Sequence, residues 1–409
     1  MPTLGLFLAV APSLVARVAA QEASEAPAAE PAAVTPEEME ALRERLRQLE
    51  AQLDEQVRAT EANAPEEIPL DLETKVHGYV DASLRSYNGR RFPLLFRLGS
   101  AVLRYDGNLD HKAFFSTELL FEATDQETLL RIEKVDMAVH VSDALHVSGG
   151  KTITMLTQQD DIGIAGAYRF LAVTQPETLE PETSDSTLPL HSLGLRATGT
   201  FPVGFWQLRY GLDASNGRRA LYGEMAHVWD YDAMKAITAG LWVESPGGLT
   251  LGGVGYVDIL DAIGIPEGQQ GLAEDYVEII GAGHLRYNGP KLDLLGEVFY
   301  VRHSPAADFA DAASNVSGYL QGGYKVRKTT PYARFEHNQR GWNSEVYRQL
   351  SEPHVMTKGT VGLRYDFAVH ACTKLEFGYS YETDIDLDDG STSIRPVNPS
   401  GLLQLAAGF

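Results

Sequence analysis

The chain has 409 residues and a formal net charge of -22, from 56 acidic and 34 basic residues. This acidic excess argues against nucleic-acid binding, because phosphate backbones attract basic surfaces. The single cysteine, Cys372, excludes an internal disulfide, and we place it in a turn. The 11 histidines show no paired ligand spacing on a helix. We therefore predict neither a bound metal nor a cofactor.

The N-terminal residues have the pattern of an export signal. An apolar run over residues 4–15 precedes Val18, Ala19 and Ala20, the small residues that a signal peptidase requires. We predict a signal peptide over residues 1–20, and then a disordered Ala-, Pro- and Glu-rich linker over residues 21–35. The alternative is a buried helix of the mature protein.

Residues 36–60 follow a helical period, with apolar side chains at steps of three and four and Glu or Arg between them. The apolar positions are Met39, Leu42, Leu46, Leu49 and Leu53. They predict a short coiled coil of about three heptads, which we place in the periplasm. Pro65 and Pro69 lie in a linker over residues 61–74. The alternative is a solvated amphipathic helix that lies on the following domain.

From Lys75 onward the period changes to two. In residues 360–369, for example, Val361 and Leu363 share one face while Arg364 lies on the other. Alternating segments of about ten residues suit tilted membrane-spanning strands. The last residues, GLLQLAAGF, form an apolar strand that ends at Phe409, as the closing strand of a barrel would. An ordinary edge strand is the alternative for this last segment.

Short and long connections alternate along residues 75–409, as in outer-membrane barrels with short periplasmic turns and long outer loops. The predicted fold is an all-β transmembrane barrel of about 16 antiparallel strands, preceded by the α-helical coiled coil. The predicted strand starts are Lys75, Phe96, His111, Leu129, Leu145, His191, Trp206, Met234, Leu249, Tyr276, Lys291, Asn315, Thr330, Thr357, Thr373 and Gly401. Residues 291–302 alternate poorly.

The longest connection, residues 156–190, contains an apolar stretch of its own over residues 162–173 (IGIAGAYRFLAV). A barrel of this size encloses water unless something fills it, and an apolar loop is hard to leave on the surface. We predict that this connection folds inward and narrows a pore. The predicted constriction residues are Tyr168, Arg169, Asp160 and Asp161. The alternative is a loop that packs over the rim or against a neighbouring subunit.

Charged residues on the polar strand faces are predicted to line the pore. The predicted wall residues are Lys151, Arg196, Arg209, Glu278, Arg286, Lys325, Arg334, Glu336, Arg364 and Asp366. Both signs are interspersed, which predicts a transverse field across the pore. Each of these residues could instead belong to an ion pair within the wall. The acidic residues of the long connection outnumber Arg169, which favours weak cation preference.

Three short motifs resemble the phosphate-selective porin O and P family: HGY at residues 77–79, FFSTELLFE at residues 114–122 and LHVSGGK at residues 145–151. The resemblance covers most of residues 75–409. It implies a trimeric outer-membrane channel of about 16 strands with an inward third loop. It also implies arginines and lysines that conduct anions, but the only arginine in residues 156–190 is Arg169. Members of that family usually have a proline several residues after the Gly-Lys pair, and none follows Lys151 closely here.

These observations predict a porin of the bacterial outer membrane, a homotrimer surrounded by lipid that passes small hydrophilic solutes or ions by passive diffusion. We predict no enzymatic activity, because no GxSxG motif occurs and GGKT at residues 149–152 lacks the first glycine of a P-loop. The alternative is a structural barrel that tethers the outer membrane through its coiled coil and conducts little. An outer-membrane lipase is a second rival.

Overall fold

In a computed structural model, the chain divides into two compact units, Met1–Pro69 and Leu70–Phe409. The structure describes residues 72–87, 95–109, 112–123, 128–158, 170–179, 188–218, 234–260, 272, 274–308, 312–340, 344, 346, 354–385 and 392–409, together with positions 40, 43–45, 47–48 and 51 of the first unit. Among these residues, no helix has the length and apolar character needed to cross a membrane.

The described positions of the first unit are helical and exposed. Arg47 Nη1 lies 3.2 Å from Glu44 Oε2, an exposed pair one turn apart. The five apolar positions of the predicted coiled coil, Met39 to Leu53, lie outside the described residues. The coiled coil therefore stays a prediction.

The second unit is a closed barrel of 16 strands, in which each strand pairs antiparallel with the next and β16 pairs with β1. In chain order the strands are β1 (Leu72–Tyr87), β2 (Leu95–Leu109), β3 (Ala113–Ala123), β4 (Thr128–Ser142), β5 (Leu145–Ile153), β6 (His191–Val203), β7 (Trp206–Ser215), β8 (Ala236–Glu244), β9 (Leu249–Leu260), β10 (Tyr276–Asn288), β11 (Leu292–Pro305), β12 (Ala313–Tyr324), β13 (Thr329–Arg340), β14 (His354–Ala368), β15 (Ala371–Ile385) and β16 (Thr392–Gly408). The predicted barrel is confirmed, since fifteen strand starts lie within three residues of the predicted ones.

The exception is β16, which begins at Thr392 and not at Gly401. Pro396 and the residues around it look like a loop in the sequence, because proline cannot donate a ladder hydrogen bond. The register with β1 covers only Ser400 to Gly408, whereas the register with β15 extends to Thr392. Among the described residues, the start of β16 therefore pairs on one side only, and an edge of this kind is where a strand tolerates proline.

The last residue completes the closure. Phe409 N donates to Gly78 O and Gly78 N donates to Phe409 O, both at 3.0 Å. The Phe409 ring lies over Gly78, where any Cβ would collide with it. A side chain at position 78 would therefore displace the C-terminal ring, which ties the first strand to the end of the last one.

The two faces of the barrel have opposite chemistry. On β14 the outward residues are large and apolar, and the exposed fraction of Val361 is 57%. The inward residues, such as Thr360, Glu297 and Ser317, are polar and buried. This arrangement inverts that of a soluble protein and suits a barrel whose outer face meets hydrocarbon.

The turn between β14 and β15 consists of residues 369–370, so the prediction that Cys372 lies in a turn is wrong. Cys372 is the second residue of β15 and is fully buried, with its backbone opposite Ala406 of β16. The small residues around it, Ala371 and Thr373, suggest a turn in the sequence but occupy the start of a strand.

Candidate functional site

Residues 154–190, hereafter the long connection, join β5 to β6, and their described part contacts wall residues of distant strands. Arg334 Nη1 of β13 donates to Thr174 O (2.6 Å), and Lys374 Nζ of β15 donates to Ala172 O (3.0 Å). Arg364 Nη1 of β14 donates to Phe170 O (3.0 Å). Three cationic side chains of the wall therefore hydrogen-bond to backbone carbonyls of the long connection.

Two carboxylates of the same wall receive the N–H and O–H groups of the long connection. Glu376 accepts from Val173 N (2.8 Å) and Thr174 Oγ1 (2.6 Å), and Glu336 accepts from Glu177 N (2.8 Å). Both carboxylates are buried. Because buried polar groups are costly when unpaired, these bonds fix residues 170–177 against β13–β15.

The first residues of the long connection are fixed at another point of the wall. Glu297 of β11 accepts from Gln158 N (2.6 Å), Thr157 Oγ1 (3.0 Å) and Tyr319 OH (2.7 Å). His284 Nδ1 lies 3.0 Å from Glu297 Oε1, the oxygen that also accepts from Gln158 N. A carboxylate with this many partners holds the chain in one position.

An apolar cluster lies behind the long connection. Its members from the connection are Met155, Leu156, Leu179, Leu188 and Leu190, and its members from β8–β12 are Ala236, Trp242, Val254, Tyr256, Ile280, Ala282, Phe299, Val301 and Tyr319. The strand residues are on the inward face, where polar side chains are expected. The apolar wall therefore matches an apolar loop, and burying the two together removes both from water.

Against the opposite wall, β1–β4, the described residues leave an open space. A cavity of about 160 Å³ lies between Asp81, Arg85, Arg97 and Glu122 on the wall and residues 170–175 of the long connection. Arg97 Nη2 and Arg131 Nη2 lie 3.7 and 3.8 Å from the Glu122 carboxylate, and their side chains are 35% and 38% exposed. We call Arg85 and Arg97, which line this cavity, and Arg131, which pairs with Glu122 beside them, the arginine arc.

A smaller cavity of about 70 Å³ lies between residues 155–158 and β6–β8. Its two arginines are engaged: Arg196 Nε donates to Asp213 Oδ2 (3.1 Å), and the Arg209 guanidinium stacks 4.8 Å from the Trp242 ring centroid. Arg209 Nε also lies 3.2 Å from Glu244 Oε1. The charges of this second space are therefore largely balanced within the wall.

At the end of the barrel opposite the short turns, a buried network joins one residue after β7 and one residue after β13 to the inner wall. His303 of β11 bonds Glu278 through Nε2 and Ser344 through Nδ1, both at 2.8 Å. Arg218 N donates to Asp258 Oδ2 (2.8 Å), and its Nη2 lies 3.6 Å from Glu278 Oε1. Arg218, which follows β7, and Ser344, which follows β13, are thereby attached to the inner wall.

The four predicted constriction residues, Tyr168, Arg169, Asp160 and Asp161, lie outside the described residues. Most of the predicted wall residues occupy strand positions of the inward face: Arg196, Arg209, Glu278, Arg286, Arg334, Glu336, Arg364 and Asp366. Arg334 and Arg364 pair with Glu336 and Asp366 on their own strands, at 3.2 and 2.9 Å, in addition to their bonds with the long connection.

Two of the predicted wall residues do not lie on the inward face of a strand. Lys151 pairs in register with Val135 and Leu193 on the outward side, and its Nζ donates to Ile132 O (2.7 Å). Lys325 lies just after β12 in the turn that leads to β13 and is exposed. The strand ends earlier than its alternation suggested, and Lys151 follows the odd-numbered, outward positions of β5.

The sequence reasoning missed Arg97, Glu122 and Arg131. The available signal was the period of two: Arg97 lies between the outward residues Phe96 and Leu98, and Arg131 lies between Leu130 and Ile132. The same reading of β2–β4 would have placed all three on the inward face.

No protein-family model matches the chain, and no curated protein matches it in sequence. Solved structures do match. The chain has the fold of outer-membrane porin barrels. It is similar to OmpT, an outer-membrane protein of Vibrio cholerae (14% identity, 84% of this chain and 99% of that chain, TM-score 0.53). It is also similar to the outer-membrane channel DcaP of Acinetobacter baumannii (14%, 83% and 97%, TM-score 0.56) and to an anion-selective porin from Comamonas acidovorans (9%, 83% and 100%, TM-score 0.55).

Proposed function

We propose that the chain is an outer-membrane channel for passive diffusion of small hydrophilic solutes or ions, and that the long connection constricts it. The observation that carries this proposal is the open space between the arginine arc and residues 170–175, inside a closed barrel. The bonds from the long connection to Glu297, Glu336 and Glu376 support a constriction that stays in place. Channels among the structurally similar proteins support it as well.

Single-channel recording in planar bilayers tests the proposal directly. Refolded protein should produce discrete open steps in a salt solution. A folded, heat-modifiable barrel that gives no steps would refute the channel and favour the alternative, a structural barrel that tethers the outer membrane. Assays for ester hydrolysis on the same sample address the lipase alternative.

We further propose anion preference. Arg85 and Arg97 line the described part of the open space together with Glu122, whose carboxylate Arg131 also approaches. Asp81 is already engaged by Ser100 and Gln404. This balance opposes the weak cation preference expected from the sequence of the long connection. Reversal potentials in a salt gradient decide between the two, and added phosphate tests the selectivity implied by the resemblance to the phosphate-selective family.

We also propose that the channel assembles as a homotrimer with its N-terminal coiled coil in the periplasm. A trimer form of the similar Vibrio cholerae protein and the heptad pattern of Met39 to Leu53 support the assembly. Native mass spectrometry of the detergent-solubilised protein, with and without residues 21–60, measures the subunit number. A monomeric mass for both forms would contradict the assembly.

A further inference from the structure

Two histidines meet inside the barrel at the end that carries the short turns. His140 of β4 and His146 of β5 are paired in register across the turn formed by residues 143–144. His140 Nδ1 lies 3.2 Å from each of the two ring nitrogens of His146, and the ring centroids are 4.3 Å apart. Their neighbours Val139, Val141 and Val147 are exposed on the outward face, so both imidazoles face the interior.

A hydrogen bond between the rings explains this arrangement poorly. His140 Nδ1 is equally far from both nitrogens of His146, and a linear N–H bond can be directed at only one of them. In the described part of the chain, the only other group near either ring's nitrogens is Asp143, whose Oδ1 lies 3.8 Å from His140 Nε2. Among the residues that the structure describes, two imidazole rings therefore lie side by side with no strong hydrogen-bond acceptor between them.

The separation suits a shared metal ion. Two imidazole nitrogens bound at about 2.0–2.1 Å in a tetrahedral arrangement lie roughly 3.3 Å apart. The two side chains start from directly opposed positions on neighbouring strands, so rotation of the rings can direct one nitrogen of each at a common ion. The His140 side chain is 33% exposed, which gives ions in the interior access to it.

We propose that His140 and His146 form a binding site for a divalent transition-metal ion such as Zn²⁺, Ni²⁺ or Cu²⁺, the ions that imidazole ligands favour. Among the described residues, no group of three or more His, Cys, Asp or Glu side chains could hold a metal. Water would complete the coordination of an ion held by these two histidines, and the exposed Asp143 carboxylate adds negative charge nearby.

Isothermal titration of the untagged full chain in detergent with ZnCl₂ tests the site without any measurement of conductance. The wild type should bind one equivalent that His140→Ala and His146→Ala each weaken by more than about tenfold, since even loss of a residue that only supports a ligand costs about 10–100-fold. His370→Ala, in the turn between β14 and β15 at the same end, is the matched control and should keep the affinity.

Heat-modifiable migration on gels verifies that each variant is folded, and His140→Gln and His146→Gln replace any alanine variant that is not. Absence of binding by the wild type, or unchanged affinity in both histidine variants, would overturn the proposal.

Discussion

The inner wall of the barrel has two regions that use charge differently. On β13–β15 the charged residues Arg334, Glu336, Lys374 and Glu376 are almost fully buried and bond to the backbone of the long connection. On β1–β4 the side chains of Arg97, Glu122 and Arg131 are 30–38% exposed, and Arg97 and Glu122 border open space.

The comparison distinguishes charges that hold the long connection in place from charges that can act on a passing solute. A cation paired with a carboxylate, as Arg334 is with Glu336, contributes little to the field that a solute meets, whereas two arginines that share the single carboxylate of Glu122 leave a net positive charge. The first region should therefore determine whether the long connection stays in place, and the second should determine which ions pass. Each of the following variants tests one side of that division.

The largest effect is expected at Glu376. Its replacement by Ala removes the acceptor of Val173 N, Thr174 Oγ1 and Tyr332 OH, and leaves buried donors unpaired. We expect Glu376→Ala to lower the free energy of unfolding by about 3 kcal/mol or more. Thermal unfolding in detergent measures the loss, and bilayer recordings should show unstable current levels.

The matched control is Glu122→Gln on the open wall, which should cost less than about 1 kcal/mol because that carboxylate is partly solvated. Equal losses of stability in the two variants would contradict the division of the wall into two regions.

Leu156→Ala tests the apolar contacts that attach the long connection to the barrel wall. Leu156 is fully buried in the cluster between the long connection and β8–β12. Truncation should cost about 2–4 kcal/mol through lost burial and the cavity left behind. Thermal unfolding checks this, with the exposed outward Leu195→Ala as control; a cost under about 1 kcal/mol would mean that the cluster does not hold the connection.

Ion selectivity should follow the arginine arc. Arg97→Gln and Arg131→Gln each remove an exposed positive charge beside Glu122, so the reversal potential should shift towards cations. Glu122→Gln should shift it towards anions. The stability of all three should change by less than about 1 kcal/mol. A shift of the same sign in the arginine and glutamate variants would show that the arc does not face the ion path.

The smallest effect is expected at Lys325, which lies in an exposed turn outside the strands. Lys325→Gln should leave both the reversal potential and the free energy of unfolding unchanged within error. A selectivity change as large as that of Arg97→Gln would place this turn in the ion path after all.

Much of the fold was predictable because each strand of such a barrel meets hydrocarbon on one side and polar groups on the other. The period of two then appears in nearly every strand, as in Val361 and Leu363 of β14. Residues 291–302 alternate poorly for a physical reason. The inward residues Phe299 and Val301 of β11 pack against the long connection, so both faces of that strand are apolar.

The candidate site was less predictable because its geometry depends on contacts between distant residues. No local pattern reveals that Glu297 binds Gln158 or that Glu376 binds Thr174. The inward register of β2–β4 was within reach of sequence reasoning, but Lys151 required the actual pairing with Val135 and Leu193. His140 and His146 escaped notice because a hairpin brings them together and a helical spacing does not.

The central claim is that solutes pass between the arginine arc and residues 170–175. Thiol labelling during bilayer recording tests it most directly, in a Cys372→Ser background. Ser100→Cys borders the open space, whereas Ser317→Cys is buried on the inward face of β12. A charged methanethiosulfonate reagent should reduce the current through Ser100→Cys and leave Ser317→Cys unchanged. Reduction only at Ser317→Cys, or none at a fully labelled Ser100→Cys, would contradict this path.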